Sequence, residues 1–118
     1  MKLFGRSEVW EIGPFQLENI LTNIPVFWFF DLSKSPLGEG VLEMMGEVLS
    51  PCVKIRPEGV LEELKRKGAS LEQPVVLICE DGKRSRKVAL RLTKSKYLNV
   101  YVVAGGKQAL AEYFKAPE

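Results

Sequence analysis

Apolar residues along the chain change period in a regular order. Val75-Val76-Leu77-Ile78-Cys79, introduced by Pro74, is an unbroken apolar run, the pattern of a strand buried on both faces of a sheet. Pro25 to Phe30 reads the same way and stops at Asp31. Val9–Ile12, Cys52–Ile55 and Val100–Val103 predict three further short strands. Between them the apolar positions recur at helical spacing. Leu17, Ile20, Leu21 and Ile24 follow Gly13-Pro14, with the proline near the first helical position, where its missing N–H is harmless. Leu42, Met45, Val48 and Leu49 share a face of a helix expected over Val41–Leu49, after a Ser35–Gly40 loop. Val60, Leu61 and Leu64 point inward from a helix begun by Pro57-Glu58 and stopped by Gly68, with Glu62 and Arg66 paired at i,i+4. Ser85, Val88, Ala89 and Leu92 mark a helix from about Arg84 to Ser95. Gly105-Gly106 open a last one, with Ala109, Leu110, Tyr113 and Phe114 inward.

Strands alternating with helices predict an α/β fold: a central parallel sheet of about five strands with helices on both faces. Sites in such sheets lie at the carboxyl ends of strands, where Cys79 and Asp31 both fall. Trp10, Trp28, Phe27, Phe29 and Phe30 are expected in the core. The length of 118 residues fits one domain, 1–118, able to bury its own core.

Composition removes several kinds of chemistry. With no histidine and only Cys52 and Cys79, the usual zinc sites, a Cys-His catalytic pair and a disulfide framework are all excluded. No metal or cofactor is expected. A net charge of +2 is too small to argue for nucleic acid. The basic stretch Lys83, Arg84, Arg86, Lys87, Arg91, Lys94 and Lys96 has no interleaved aromatics, so from Arg86 onward it reads as a solvated helix face rather than a nucleic-acid platform. The N-terminus lacks the apolar core of a signal peptide and the longest apolar run, Ile24 to Phe30, is too short for a bilayer. A cytoplasmic protein without membrane partners is expected, in a compartment that keeps thiols reduced.

The remaining chemistry concentrates in Cys79-Glu80-Asp81-Gly82-Lys83-Arg84-Ser85. A thiol at the mouth of a helix N-terminus faces backbone N–H groups and the positive end of the helix dipole, which favour the thiolate. Gly82 permits a turn with positive φ, and Lys83 and Arg84 supply cations. Glu80 and Asp81 oppose a negative charge if they face the thiol and matter little if they point to solvent. Ser85 is either a hydroxyl donor to the loop or the helix N-cap. Asp31 either anchors Arg84 or a loop N–H, or faces solvent. Cys52 is either a resolving thiol for Cys79 or a buried small hydrophobe. Met44-Met45 either pack in the core or line a groove near the loop.

Cys-x-x-Gly-x-Arg-Ser at 79–85, the preceding Pro-Val-Val-Leu-Ile and the later Val-Tyr-Val-Val-Ala-Gly-Gly resemble the rhodanese (sulfurtransferase) family, over about residues 9 to 114. Asp31-Leu32 resembles the family's Asp-Val at the end of its second strand, with Ser33 where an arginine is usual. Gly46 to Val53 stands in place of the Gly-His-Ile-Pro-Gly-Ala signature, with Pro51 as the matching residue. The resemblance implies a persulfide carrier: Cys79 takes sulfur from thiosulfate or another persulfide and passes it to a thiol or cyanide. It implies that Glu80 through Ser85 form the loop that binds the persulfide. The cysteine phosphatases and arsenate reductases on this scaffold need five residues between cysteine and arginine; that position is Ser85 here, and the shorter loop suits a sulfur atom. The expected partners are a small sulfur-containing donor or a protein persulfide or thiol. The alternative is a catalytically weak or inactive rhodanese-like module that binds a partner or senses redox state.

Overall fold

The computed structural model describes residues 9–24, 26–34 and 52–114. The chain runs β1 (Trp10–Ile12), α1 (Pro14–Asn23), β2 (Trp28–Asp31), β3 (Val53–Lys54), a 3-10 turn (Pro57–Gly59), α2 (Val60–Arg66), β4 (Val75–Ile78), α3 (Lys83–Lys94), β5 (Val100–Val103) and α4 (Gly106–Phe114). The strands form one parallel sheet in the order β1-β5-β4-β2-β3. The expected helix over Val41–Leu49, the Ser35–Gly40 loop and the Met44-Met45 pair lie outside the described residues.

β4 is central, and all four of its residues are buried. Alternation along the strand divides them between two cores. Val75 and Leu77, followed by Cys79, join Phe30, Val60, Leu64, Val88 and Leu92 on the face covered by α2 and α3. Val76 and Ile78 join Ile12, Leu17, Phe29 and Leu110 on the face covered by α1 and α4. A strand that must feed both cores has no polar position to spare, which is why this run is continuous rather than alternating. Phe29 and Phe30 divide in the same way, and Trp28 stacks on Phe30 with ring centroids 6.4 Å apart.

Three expectations fail at the margins. Trp10 is 47% exposed rather than core, because β1 is an edge strand with a neighbour on one side only. Tyr113 is also 47% exposed; it lies at the rim between α4 and α1, where its hydroxyl meets the Glu18 carboxylate at 3.2 Å. Arg66 pairs with Glu63, through both Nε and Nη2, and not with Glu62. Gly68 ends α2 as expected, at φ 69°.

Candidate functional site around Cys79

Cys79 is the first residue beyond β4, and α3 begins at Lys83, so the chain turns from sheet to helix within Cys79–Gly82. Gly82 is the N-cap of α3 and sits at φ 95°, a left-handed conformation that glycine takes without strain. A Cβ at this position would also lie 3.3 Å from the Gly105 nitrogen and 3.5 Å from the Val103 oxygen. The tight turn aims α3's free N–H groups back at the thiol. Gly82 N–H donates to Cys79 Sγ at 3.1 Å and Ser85 N–H at 3.4 Å. These are among the donors that a helix start leaves without intrahelical partners, and the helix dipole adds its positive end in the same direction. The Cys79 side chain is fully buried.

Of the loop expected to surround the sulfur, these two N–H groups reach it. Lys83 N–H turns instead to Asp81 Oδ1 at 3.0 Å. Ser85 is not the N-cap, because α3 starts at Lys83, one residue earlier than expected, with Gly82 as its cap. Its hydroxyl is buried and has no hydrogen-bond partner among the described residues, so its contact with the sulfur is made by the backbone.

A second helix holds the loop from behind. Lys107 N–H, at the start of α4, donates to the Cys79 carbonyl at 2.8 Å, and Gln108 N–H donates to the Glu80 carbonyl at 3.1 Å. Gly106 lies so close that a Cβ on it would fall 2.2 Å from the Cys79 oxygen and 2.7 Å from the carbonyl carbon and oxygen of Glu80. The carbonyls of Cys79 and Glu80 thus satisfy orphan N–H groups of α4, while the N–H groups of Gly82 and Ser85 turn toward the sulfur.

The charged residues divide into two groups. Glu80 pairs with Arg84 at 3.0 Å and accepts Lys34 N–H at 2.8 Å, and Arg84 also donates to the Leu32 carbonyl at 3.2 Å. Glu80 and Arg84, with Asp81, Lys83 and Lys87, line an open depression of about 390 Å³. Asp31 neither anchors Arg84 nor reaches a loop N–H. It is held by Lys107 Nζ at 2.6 Å, by Ser33 N–H at 2.9 Å and by the Ser33 hydroxyl at 2.7 Å, with Lys54 Nζ 4.0 Å away. Burial works against the Asp31 charge, but the hydrogen bonds from Lys107 and Ser33 outweigh it and hold the carboxyl below its ordinary value. Lys107 is 3% exposed, and its ammonium also reaches Ser33 Oγ at 2.8 Å.

Lys107 is the residue that pattern reading missed. Its side chain ties the end of β2 to α4, and its own N–H holds the Cys79 carbonyl, so one residue joins the two strand ends at which sites were expected. The available signal was a lone lysine directly after Gly105-Gly106 and before the inward Leu110.

Cys52 packs with the cluster on the opposite face of the sheet from Cys79. Burial pushes its thiol up to about 12; the Asp31 charge adds to this, and Lys107 and Lys54 oppose it. It is therefore a protonated, half-buried thiol on the far face, which favours the hydrophobe over the resolving nucleophile. In the basic stretch, Arg86 pairs with Glu11 across to β1, and Arg91 and Lys94 lie on the exposed face of α3. Among the described residues, no helix is long and apolar enough to cross a membrane.

With this geometry in place, comparison gives the class. The profile of the Rhodanese-like domain family matches residues 50–113, more than half of the chain, and the chain belongs to that family. No curated protein matches it. Among solved structures it is similar to reduced CoADR-RHD of Bacillus anthracis, at 16% identity and a TM-score of 0.63, over 90% of this chain and 17% of that one. It is similar to the polysulfide-sulfur transferase homodimer of Wolinella succinogenes, at 16% identity and a TM-score of 0.63, over 89% of this chain and 74% of that one. A rhodanese homologue from Thermus thermophilus matches at 20% identity and a TM-score of 0.54, over 85% of this chain and 99% of that one. At these identities the likeness carries the rhodanese-like fold, and the chemistry has to be argued from the site.

Proposed function

We propose that this protein is a sulfurtransferase that carries a persulfide on Cys79. The observation that carries the reading is the convergence of Gly82 N–H and Ser85 N–H on Cys79 Sγ at the start of α3. Fixed backbone donors stabilise an anion without reorganising when it forms, and both the thiolate and the persulfide are anions. The Cys79 thiolate attacks the outer sulfur of thiosulfate; the S–S bond breaks, sulfite leaves with the electron pair, and Cys79–S–S⁻ remains. Cyanide or a thiolate then attacks the terminal sulfur, and Cys79 recovers its thiolate as thiocyanate or a new persulfide departs. A protein persulfide serves equally as donor by the same exchange. A reducing cytoplasm would keep the thiol free between turnovers.

The acidic pair after Cys79 is less of an obstacle to an anionic donor than the bare sequence implies. Glu80 is spanned by Arg84, and the depression it shares carries Lys83, Arg84 and Lys87 against Glu80 and Asp81. Three cations and two carboxylates leave that depression a net +1. Incubating the reduced protein with thiosulfate or a persulfide donor is expected to add the mass of one sulfur atom to the Cys79 peptide. Cyanide is then expected to yield thiocyanate, and Cys79→Ala to yield none. If no donor loads Cys79 in the folded, reduced protein, the transferase reading is wrong.

The full burial of Cys79 favours a second reading, a rhodanese-like module that binds a partner without turnover. Partner binding or cellular function unchanged in Cys79→Ser, together with no loading of the native protein, would establish it.

A further inference from the structure

Charge is divided sharply along this chain. Eight of its seventeen Lys and Arg, and none of its fifteen Asp and Glu, fall within residues 82–111. That segment therefore carries +8 and the remainder −6, although the whole chain is only +2. Three of the eight cations are matched inside the fold: Arg84 by Glu80, Arg86 by Glu11 and Lys107 by Asp31. Lys83, Lys87, Arg91 and Lys94 are exposed on α3 and enter no ion pair among the described residues.

These four share one side of the helix, opposite the buried Ser85, Val88, Ala89 and Leu92. Their spacings of four, four and three residues make them successive neighbours on the helix surface. The stripe they form is about 16 Å long, at 1.5 Å of rise per residue. Leu90 lies on the same side and is 44% exposed; its i−4, i−3 and i+4 neighbours are Arg86, Lys87 and Lys94. This arrangement works against α3. Like charges at those spacings repel. Lys83 also sits at the positive end of the helix dipole, where a cation is disfavoured, and the first turn holds no acid. No carboxylate among the described residues offsets the repulsion along the stripe, whereas an external surface of opposite charge would.

We propose that this face of α3 docks a protein whose facing surface is acidic around an apolar residue. The partner's carboxylates meet the stripe, and its apolar side chain covers Leu90, giving a charged rim about a dehydrated centre. Leu90 is what selects a protein over a nucleic acid. A phosphate backbone offers it nothing apolar, and a strand that stacked its bases would need aromatic side chains, which α3 lacks. The stripe begins where the Cys79 loop ends. Lys83 and Lys87 also line the depression they share with Glu80, Asp81 and Arg84, so a docked protein lies beside that loop. The docking itself requires no chemistry at Cys79.

The probe is a helical alanine peptide of about 18 residues, with four glutamates and one leucine on a single face. Titrated into the 15N-labelled protein at low salt, it is expected to shift the α3 amides from Lys83 to Lys94. Its glutamine analogue is expected to leave them in place. Lys87→Ala with Arg91→Ala is expected to weaken binding about fivefold, the combined effect of two exposed ion contacts of ordinary strength. Lys65→Ala with Lys67→Ala, which removes the same charge from the end of α2, is expected to retain it. Leu90→Ala is expected to weaken the peptide about threefold and to leave a leucine-free twin of the peptide unaffected. An oligothymidylate of equal charge is expected to bind more weakly than the peptide. Amide shifts away from α3, equal binding of the glutamine analogue, unchanged affinity in the Lys87/Arg91 double variant, or tighter binding of the oligothymidylate would each overturn the proposal. So would no binding at millimolar concentration. Sulfur loading enters none of these readouts, so the docking face and the persulfide reading of Cys79 stand or fall separately.

Discussion

Replacing Lys107 with methionine is expected to destabilise the protein by about 3 kcal/mol, the low end of the range for breaking a buried ion pair by deleting one partner. Methionine is unbranched like lysine and only one atom shorter, so it keeps the site nearly filled and the loss is mainly electrostatic rather than a cavity. Asp31 would be left as an enclosed carboxylate without its 2.6 Å ammonium. The remaining contacts with Ser33, and Lys54 at 4.0 Å, are why the low end applies. Thermal unfolding should show a drop of about 10–15 °C. Adding Asp31→Asn removes the stranded charge, and the double variant should lose less than the sum of the two single variants. A loss below about 1 kcal/mol for Lys107→Met would show that the pair is not the tie described above.

The same pair fixes the sign of a pH effect. The Asp31 carboxyl in the folded protein lies below its ordinary value of 3.8, so its contribution to stability is fully present above that value. It is lost as pH falls through the lower, folded value. The stability gap between the native protein and Lys107→Met should therefore be widest near neutrality and narrow in acid, as Asp31 takes up its proton. A gap that widened in acid would contradict the direction of the Asp31 shift.

How far the sequence shows this arrangement depends on the range of the interaction. The β4 run and the helix after it are legible because period and burial are local: a strand feeding two cores must be apolar throughout. The placement of Cys79 beyond that strand, next to a glycine that can turn, follows from the same local logic. The partner of Asp31 does not. Sequence neighbourhood makes Arg84 the natural candidate, but Arg84 is taken by Glu80, four residues back in the loop before α3. Asp31 is met by a lysine 76 residues later. Only the parallel order β4-β2 and β4-β5, with α4 returning across the sheet, brings Lys107 beneath the end of β2. Ser85 departs from its expected role for a smaller reason. Moving the helix start from Arg84 to Lys83, and its cap to Gly82, carries the serine inside the first turn, where its N–H is useful and its hydroxyl is not. Trp10 and Tyr113 show a further limit: aromatic character argues for burial, but an edge strand or a helix rim leaves it half met.

Gly106→Ala is expected to reduce sulfur loading of Cys79 by roughly 100-fold, the scale of loss for a displacement of about 1 Å at a reacting group. The residue does not meet the sulfur. Its Cβ would occupy space 2.2 Å from the Cys79 oxygen, and the neighbouring atoms are also backbone, so no side chain can rotate away. Either α4 retreats, breaking the bonds from Lys107 N–H and Gln108 N–H to the loop carbonyls, or the loop moves and carries the Gly82 and Ser85 donors off the sulfur. Both outcomes dismantle the cradle. Positive φ adds conformational strain, and this part can be measured separately at Gly68. Gly68 has φ 69°, close to the 59° of Gly106, yet a Cβ there meets nothing within 4 Å. Gly68→Ala should therefore cost about 1 kcal/mol of stability and leave loading unchanged. Equal loading by the two alanine variants, compared at temperatures where both are folded, would show that the close approach of Gly106 is not what holds the Cys79 loop.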